Sequence, residues 1–239
     1  MKRHDGREFD ELREVKIQKD FVKNSDGSVL IEFGDTQVIC TANFSKGVPG
    51  WMRAQGKEGG WLTAEYAMLP GATDSRNRRE NQKGPSGRSS EIQRLIGRSL
   101  RSVVDLTKLG EHTLHLDCDV LNADGGTRCA SITGAYVALG LAVQKLMASG
   151  DLVENPLTEQ IAAVSIGMID GQDLLDLPYV EDSAADVDMN VVMTSDGKIT
   201  EVQGTAEEKT FTRAELNSML DLAEKGLSDI FAIQEKALA

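Results

Sequence analysis

The sequence predicts an α+β fold in which two sheet-plus-helix halves pack as layers. Strand-type segments come in runs, and each run is closed by a long, largely apolar helical segment, once before residue 150 and once at the C-terminal end. Blocks of strands followed by helices indicate layers rather than strictly alternating βαβα units. The turn Ser25-Asp26-Gly27 is echoed by Ser195-Asp196-Gly197, a faint sign of duplication. The expectation is a single domain over residues 1–239, with an N-terminal half of about 10–149 and a C-terminal half of about 157–239.

Residues 12–19 alternate, and residues 28–33 and 37–44 are rich in Val, Ile and aromatic side chains; Asp26-Gly27 is placed as a hairpin-type turn, so the N-terminal third reads as antiparallel sheet. Residues 46–60 are glycine-rich and irregular. Residues 61–68 form the next strand, closed by Pro70-Gly71. The stretch 72–88 has no apolar periodicity and reads as a loop, mobile unless it binds something. Residues 90–106 place Ile92, Leu95, Ile96, Val103 and Val104 on one helical stripe, with Ser90 and Gln93 spaced as a capping box and Arg94, Arg98 and Arg101 opposite. Those three arginines suit an ion-paired helix face or a subunit contact.

Residues 112–120 alternate Leu114, Leu116, Cys118 and Val120 against His115, Asp117 and Asp119. A Gly125-Gly126 turn follows, and residues 127–148 read as an apolar helix central to the core. In the second half, residues 161–169, 172–177, 186–194 and 198–205 read as strands. Residues 213–237 form the closing helix, with Leu216, Met219, Leu220, Ala223, Leu227, Ile230 and Phe231 as its apolar face.

Composition narrows the class. A chain of 239 residues with 40% hydrophobic content buries a sizeable core, which excludes disorder. Three cysteines, Cys40, Cys118 and Cys129, lie in apolar or alternating segments and suggest reduced thiols in a cytoplasmic protein. The charged N-terminus has no signal-peptide core, and the longest apolar stretch, 132–143, is short for a bilayer, so a soluble protein without a membrane partner is expected. The net charge is -12, but it is unevenly spread. Between residues 76 and 101 eight basic side chains, Lys83 among them, face only Glu80 and Glu91, whereas residues 151–239 carry 19 acids and 5 bases. One segment suits phosphates; the other suits a metal or a solvated face.

The Gly125-Gly126-Thr127-Arg128 turn opens a helix, so the free amides of Gly126, Thr127 and Arg128, the Thr127 hydroxyl and the Arg128 guanidinium are positioned to converge on one phosphate-sized ion. Alone, such a turn also serves as a plain strand-to-helix connection, with glycine chosen for positive φ. Arg128 weighs toward the ion, because a cation in the first helical turn meets an unfavourable dipole unless an anion compensates. Arg88, after Ser86-Gly87, reads either as a second arm of the clamp or as a solvated loop arginine. Asp186, Asp188 and Asn190 share one side of a strand, with Glu181 and Asp182 in the loop before it. That cluster suits a hard metal or a general acid, and equally an exposed acidic edge. The histidines, His4, His112 and His115, lack ligand or triad context, and no protein nucleophile stands out. Arginines for phosphate and clustered carboxylates without a nucleophile suit a reaction whose attacker is itself an oxyanion.

Several long motifs, in order, carry a resemblance: DGRE near the start, EFGDTQVICTANF, GWLTAEYAMLPGAT, SGRSSEIQRLIGRSLRSVVDL, DCDVLNADGGTRCASITGAYVAL, LPYVEDSAADVDMNVVMT and EVQGTAEEKTFTRAEL. Over nearly its whole length the chain resembles the ribonuclease PH family of phosphate-dependent 3′-to-5′ exoribonucleases. The resemblance implies an RNase PH-type fold and a phosphorolytic tRNA nucleotidyltransferase that trims tRNA precursors, and possibly rRNA. It implies inorganic phosphate as co-substrate, held by Arg88, Gly126, Thr127 and Arg128, with Arg128 also catalytic. It further implies that Asp182 and Asp188 bind magnesium or protonate the leaving oxygen, with Asp186 ranked lower. Arg76, Arg78 and Arg79 would guide tRNA, and the family assembles as a hexameric ring, a trimer of dimers. A hydrolytic nuclease and a non-catalytic ring subunit are the rivals. Two departures stand out: Gly71 occupies a place usually filled by Arg, which puts the strength of tRNA binding in question, and His4 occupies one often filled by Pro.

Overall fold

A computed structural model describes residues 3–80, 84–207 and 209–239; Lys83 of the basic segment lies outside them. Strands β1 (Val15–Lys19), β2 (Gly27–Phe33), β3 (Thr36–Lys46), β4 (Trp61–Met68) and β5 (His112–Asn122) form one sheet in the order β1-β2-β3-β5-β4. Strands β6 (Ile161–Ile169), β7 (Gln172–Leu175), β8 (Val187–Thr194) and β9 (Ile199–Ala206) form a second in the order β7-β6-β8-β9. Helices α1 (Gly50–Ala54), α2 (Gly87–Arg101), α3 (Thr127–Ser149), α4 (Tyr179–Asp182) and α5 (Arg213–Leu238) complete the fold.

The layered α+β arrangement matches the expectation, with α3 between the sheets, touching β2, β3 and β5 on one side and β6 on the other. This position explains why α3 lacks a polar face. Its apolar run is long enough by composition to cross a membrane, yet most of it is buried within the protein. Helix α5 packs on β6, β7, β8 and β1, and α2 packs on β4 and α3. Val29, Leu116, Ile132, Val164, Val191 and Leu227 belong to one continuous buried cluster that runs through both halves.

Three expectations are corrected. The N-terminal sheet is not wholly antiparallel, because β4 runs parallel to β5; the 18 residues between β4 and α2 and the helix itself supply the crossover that a parallel pair requires. Residues 46–60 are not entirely irregular, since α1 forms there around buried Met52. Helix α2 begins three residues early: Ser86 is the N-cap, its hydroxyl accepting from the Ser89 amide at 3.1 Å, so the Ser90/Gln93 capping box does not form. Arg88 therefore lies in the first helical turn rather than before it.

The strand expected from residue 12 starts only at Val15, because Arg13 turns inward. Its Nη2 meets Asp176 Oδ1 at 2.7 Å while its Nε and amide N donate to Asp176 Oδ2 at 3.0 and 2.9 Å. Asp176 in turn ends β7 early by adopting a left-handed φ of 53°. Both side chains are buried, so losing one partner leaves an uncompensated charge. Asp176→Asn is expected to cost about 3–5 kcal/mol and to lower the melting temperature by roughly 10 °C. Calorimetry should show that Arg13→Met combined with Asp176→Asn costs less than the sum of the two; additive losses would mean that the residues act independently.

Candidate active site

The turn between β5 and α3 is built to bring backbone close to backbone. Gly125 and Gly126 take left-handed φ values of 73° and 67°. A Cβ at Gly125 would lie 2.4 Å from the Leu177 carbonyl oxygen, so only glycine admits the chain entering α4. The Thr36 hydroxyl donates to the Gly125 carbonyl at 2.7 Å and accepts from the Asp124 amide at 2.9 Å. The Tyr179 amide donates to Asp124 Oδ1 at 3.0 Å, tying the turn directly to α4. Gly126, as N-cap of α3, offers no side chain to the first amides, and the first turn contains no acid. An uncapped N-terminus of a 23-residue helix thus faces outward with its partial positive charge unanswered.

A cavity of about 950 Å³ opens at this point, walled by Gly125, Gly126, Thr127, Arg88, Asp182 and Tyr179 among others. Arg88 forms no salt bridge among the described residues, which leaves its guanidinium available to an anion there. Thr127 is nearly buried, and its Oγ1 lies 3.0 Å from the Tyr66 hydroxyl. Of the residues expected to hold phosphate, Arg88, Gly126 and Thr127 thus share one cavity. Arg128 does not converge in the expected way. Its Nη1 donates to Gln203 Oε1 at 2.6 Å and its Nη2 lies 3.5 Å from Glu91 Oε2, outside the cavity wall. Gln203 fixes that position by donating from Nε2 to Glu91 Oε1 at 3.0 Å.

Asp182 ends α4 and borders the cavity; Asp188 is the second residue of β8 and lies outside its wall. Burial raises the Asp182 carboxyl, against the pull of Arg128, Arg88 and Arg13. Burial first, then the charge of Asp182, push Asp188 up to about 6. Asp188 Oδ1 is buried and has no hydrogen-bond partner among the described residues. Two mutually repelling carboxylates, one with an orphaned oxygen, form a donor set that suits a hard divalent cation. Asp186 differs: Lys209 lies 3.0 Å from its Oδ1 and the Asp170 amide donates to its Oδ2, so its charge is already answered.

Arg76, Arg78 and Arg79 are all exposed. Arg78 and Arg79 line a second cavity of about 690 Å³ that shares Arg88, Met68 and Asn77 with the first. Arg76 lines neither. Arg98 pairs with Glu201 at 2.8 Å, as an ion-paired face requires, but Arg101 leaves that face, donating to the Leu62 carbonyl and stacking on Trp61. His112 and His115 bond locally to Leu109 O and Ser45 Oγ, away from the site. His4, Asp5 and Glu181 do cluster, but Arg3 holds Glu181 and Arg7 holds Asp5, which neutralises the group.

Sequence reasoning missed the arginines behind the site. Arg3 is buried and forks onto Glu181 at 2.6 and 3.2 Å while its Nη1 donates to the Leu175 carbonyl, which sets the position of α4 and hence of Asp182. Arg13 does the same for the Gly-Gly turn by donating to the Asp124 carbonyl. The sequence signals were the charged Arg3-His4-Asp5-Gly6-Arg7 opening and an Arg in an otherwise alternating stretch.

Profiles of the 3′ exoribonuclease family match the chain, domain 1 over residues 11–143 and domain 2 over residues 159–226. The chain is 60% identical over 237 residues to ribonuclease PH of Corynebacterium glutamicum (strain R), covering 99% of this chain and 96% of that protein. Ribonuclease PH of Corynebacterium efficiens matches with the same identity and coverage. Among solved structures, rice (Oryza sativa) Rrp46 superposes with a TM-score of 0.79 at 19% identity, covering 99% of this chain and all of that one. A structure of the Archaeoglobus fulgidus exosome with RNA bound to the active site gives 0.79 at 24% identity, covering 96% of this chain and 92% of that one. At these identities the two structures speak to the fold.

The raised carboxyl of Asp188 has a measurable consequence. A group whose native pKa of about 6 exceeds the ordinary 3.8 holds its proton more tightly when folded. Its ionisation therefore subtracts stability as pH climbs through that interval, and the loss is complete above it. In metal-free and phosphate-free buffer, Asp188→Asn should melt a few degrees higher than the parent near neutral pH, after allowance for solvent screening, with the gap closing as pH falls toward 4. A variant that melts at or below the parent temperature near neutrality would show that the carboxylate carries no such penalty.

Proposed function

The chain belongs to the 3′ exoribonuclease family, and from that membership we propose that it is a phosphorolytic exoribonuclease that shortens tRNA precursors, and possibly rRNA, from the 3′ end. The observation that carries this reading is the cavity in which an uncapped helix N-terminus, Thr127 and Arg88, unpaired among the described residues, face the same space as Asp182. Inorganic phosphate binds there to the amides of Gly126 and Thr127, the Thr127 hydroxyl and Arg88. Arg128 joins them by exchanging its hydrogen bond to Gln203 and its 3.5 Å contact to Glu91 for charge-assisted bonds to the anion, which are stronger than either.

A phosphate oxygen attacks the phosphorus of the last phosphodiester. A new P–O–P link forms, the bond to the 3′ oxygen of the preceding nucleotide breaks, and the nucleoside 5′-diphosphate departs. The proton that the phosphate surrenders is matched by one delivered to the leaving 3′ oxygen. Arg88 and Arg128 offset the charge gathered on the two phosphates, and the helix amides hold the attacker in line, so positioning and electrostatics supply the rate. Run backward, the same steps add nucleotides from diphosphates to a 3′ hydroxyl. Asp182 and Asp188 would hold Mg2+, which when bound supplies charge neutralisation beside the reacting phosphates. Without the ion, the raised carboxyl of Asp188 leaves it able to donate a proton in that region.

RNA reaches the cavity along Arg76, Arg78 and Arg79, with the last two beside the adjoining space. The two halves function as one unit over residues 1–239, supported by the single core that crosses them. We place the enzyme in the cytoplasm, as a homohexameric ring built as a trimer of dimers, the assembly that membership of the family implies; three buried free cysteines suit a reducing compartment.

Incubating the protein with a tRNA bearing a short 3′ extension should release nucleoside diphosphates only when phosphate is present. Monophosphates, or release that is indifferent to phosphate, would overturn the reading in favour of hydrolysis. Replacing Arg76, Arg78 and Arg79 together by Ala should weaken RNA binding and reduce the slope of log affinity against log salt by about two to three units, since each lost phosphate contact removes roughly 0.7–0.9. An unaltered slope would place the RNA elsewhere.

A further inference from the structure

The Tyr66 phenol has no role in the scheme above, yet it sits immediately behind the phosphate cavity. It lies on the core side of β4 and is 2% exposed. Its one hydrogen bond among the described residues joins its hydroxyl to Thr127 Oγ1 at 3.0 Å. Burial raises the phenol, against its hydrogen bond to Thr127 and the pull of Arg88 and Arg128, so it keeps its proton at neutral pH.

The two hydroxyls cannot both donate across this contact. Thr127 opens α3, so no helical carbonyl lies one turn before it to accept from its hydroxyl. Its proton has two destinations, the Tyr66 oxygen or the cavity. With an anion in the cavity the Thr127 proton is drawn to it, which leaves Thr127 Oγ1 as the acceptor and the Tyr66 hydroxyl as the donor across their 3.0 Å contact. We infer that Tyr66 is a positioning residue that donates to Thr127 Oγ1 and so commits the single Thr127 proton to the bound phosphate. Donation in series polarises each bond, so the relay strengthens the contact to the anion. Ser131, whose hydroxyl donates to the Thr127 carbonyl at 2.8 Å, pins the backbone and leaves this hydroxyl as the one adjustable element of the residue.

The inference rests on the phosphate reading of the cavity, and its test separates the two. Steady-state rates are measured on an extended tRNA across phosphate concentrations for the parent, Tyr66→Phe, Thr127→Val and the double variant, with melting temperatures and the KM for RNA determined in parallel. Tyr66→Phe should raise the KM for phosphate about 3- to 10-fold, the worth of one neutral hydrogen bond, and leave the KM for RNA in place. Thr127→Val should raise it at least as far, and adding Tyr66→Phe to Thr127→Val should raise it no further. Multiplicative effects in the double variant would overturn the relay, because Tyr66 would then act without the Thr127 hydroxyl. So would equal rises in KM for phosphate and RNA with a lower melting temperature, which mark loss of packing alone. A parent enzyme whose rate ignores phosphate would reject the cavity assignment itself, and the relay with it.

Discussion

The ion pair between Arg13 and Asp176 is the constraint on which the site depends. Its partners are 163 residues apart, one at the entry to the first sheet and the other at the exit from β7. The guanidinium spans Asp176 and the Asp124 carbonyl at once, so a single side chain fixes the Gly-Gly turn relative to the second half. Arg3 repeats the device on Glu181, and Arg7 adds its own donors to the Asp176 carbonyl. Desolvating these charges is costly, and an apolar seam of the same shape would hold the halves together as well. What the apolar seam could not do is set direction. Forked hydrogen bonds fix the turn and α4 in position and angle, which is what a site assembled from two halves needs.

The cavity then has two electrical ends. At one, the amides of α3 and the charge of Arg88 are short of an anion; at the other, Asp182 and Asp188 are short of a cation. The two ends relieve each other only in part: Arg128 and Arg88 pull both carboxyls down, and burial still holds them raised. In the function proposed above, phosphate and a metal would restore neutrality when the site is filled. Stability and binding are in this sense in opposition, and the raised carboxyl of Asp188 is the trace that the opposition leaves in the free protein.

Much of this was legible in the chain, for a definable reason. The β5–turn–α3 unit is local: alternation from Leu114 to Val120, two glycines and an apolar run follow one another, and the anion site is made largely of their backbone. Asp182 and Asp188 were visible as a cluster for the same reason. What was hidden depends on distance in sequence. Nothing near Trp61–Met68 says that its partner β5 runs parallel, and nothing near Arg13 names Asp176. The start of α2 was misplaced because Ser86 and Ser90 are chemically equal caps, and only the fold chooses between them; the Ser86 choice puts Arg88 in the first turn, where it reaches the cavity. Arg128 was legible as a charge at the site but not as a side chain held by Gln203, a residue of β9 that the pattern assigned only to a strand.

The acidity of the chain is compatible with a polyanionic substrate once distance is considered. At physiological ionic strength charges are screened over about 8 Å, so the net charge of -12 acts on an approaching RNA less than the groups it meets first. In the proposed path those are Arg76, Arg78 and Arg79, all exposed and the last two beside the smaller cavity, whereas the acids of the second half are spread over β9, α5 and the loops between. The acidic half has its own use: it holds Arg98 through Glu201 and Arg13 through Asp176, and it carries the carboxylates of the site. In the proposed function charge is segregated by task, with exposed cations, unpaired among the described residues, where the RNA strand would enter and buried cations paired where the architecture must hold. Adding arginines at random would serve neither end, since a cation is useful to RNA only where no carboxylate is already within reach.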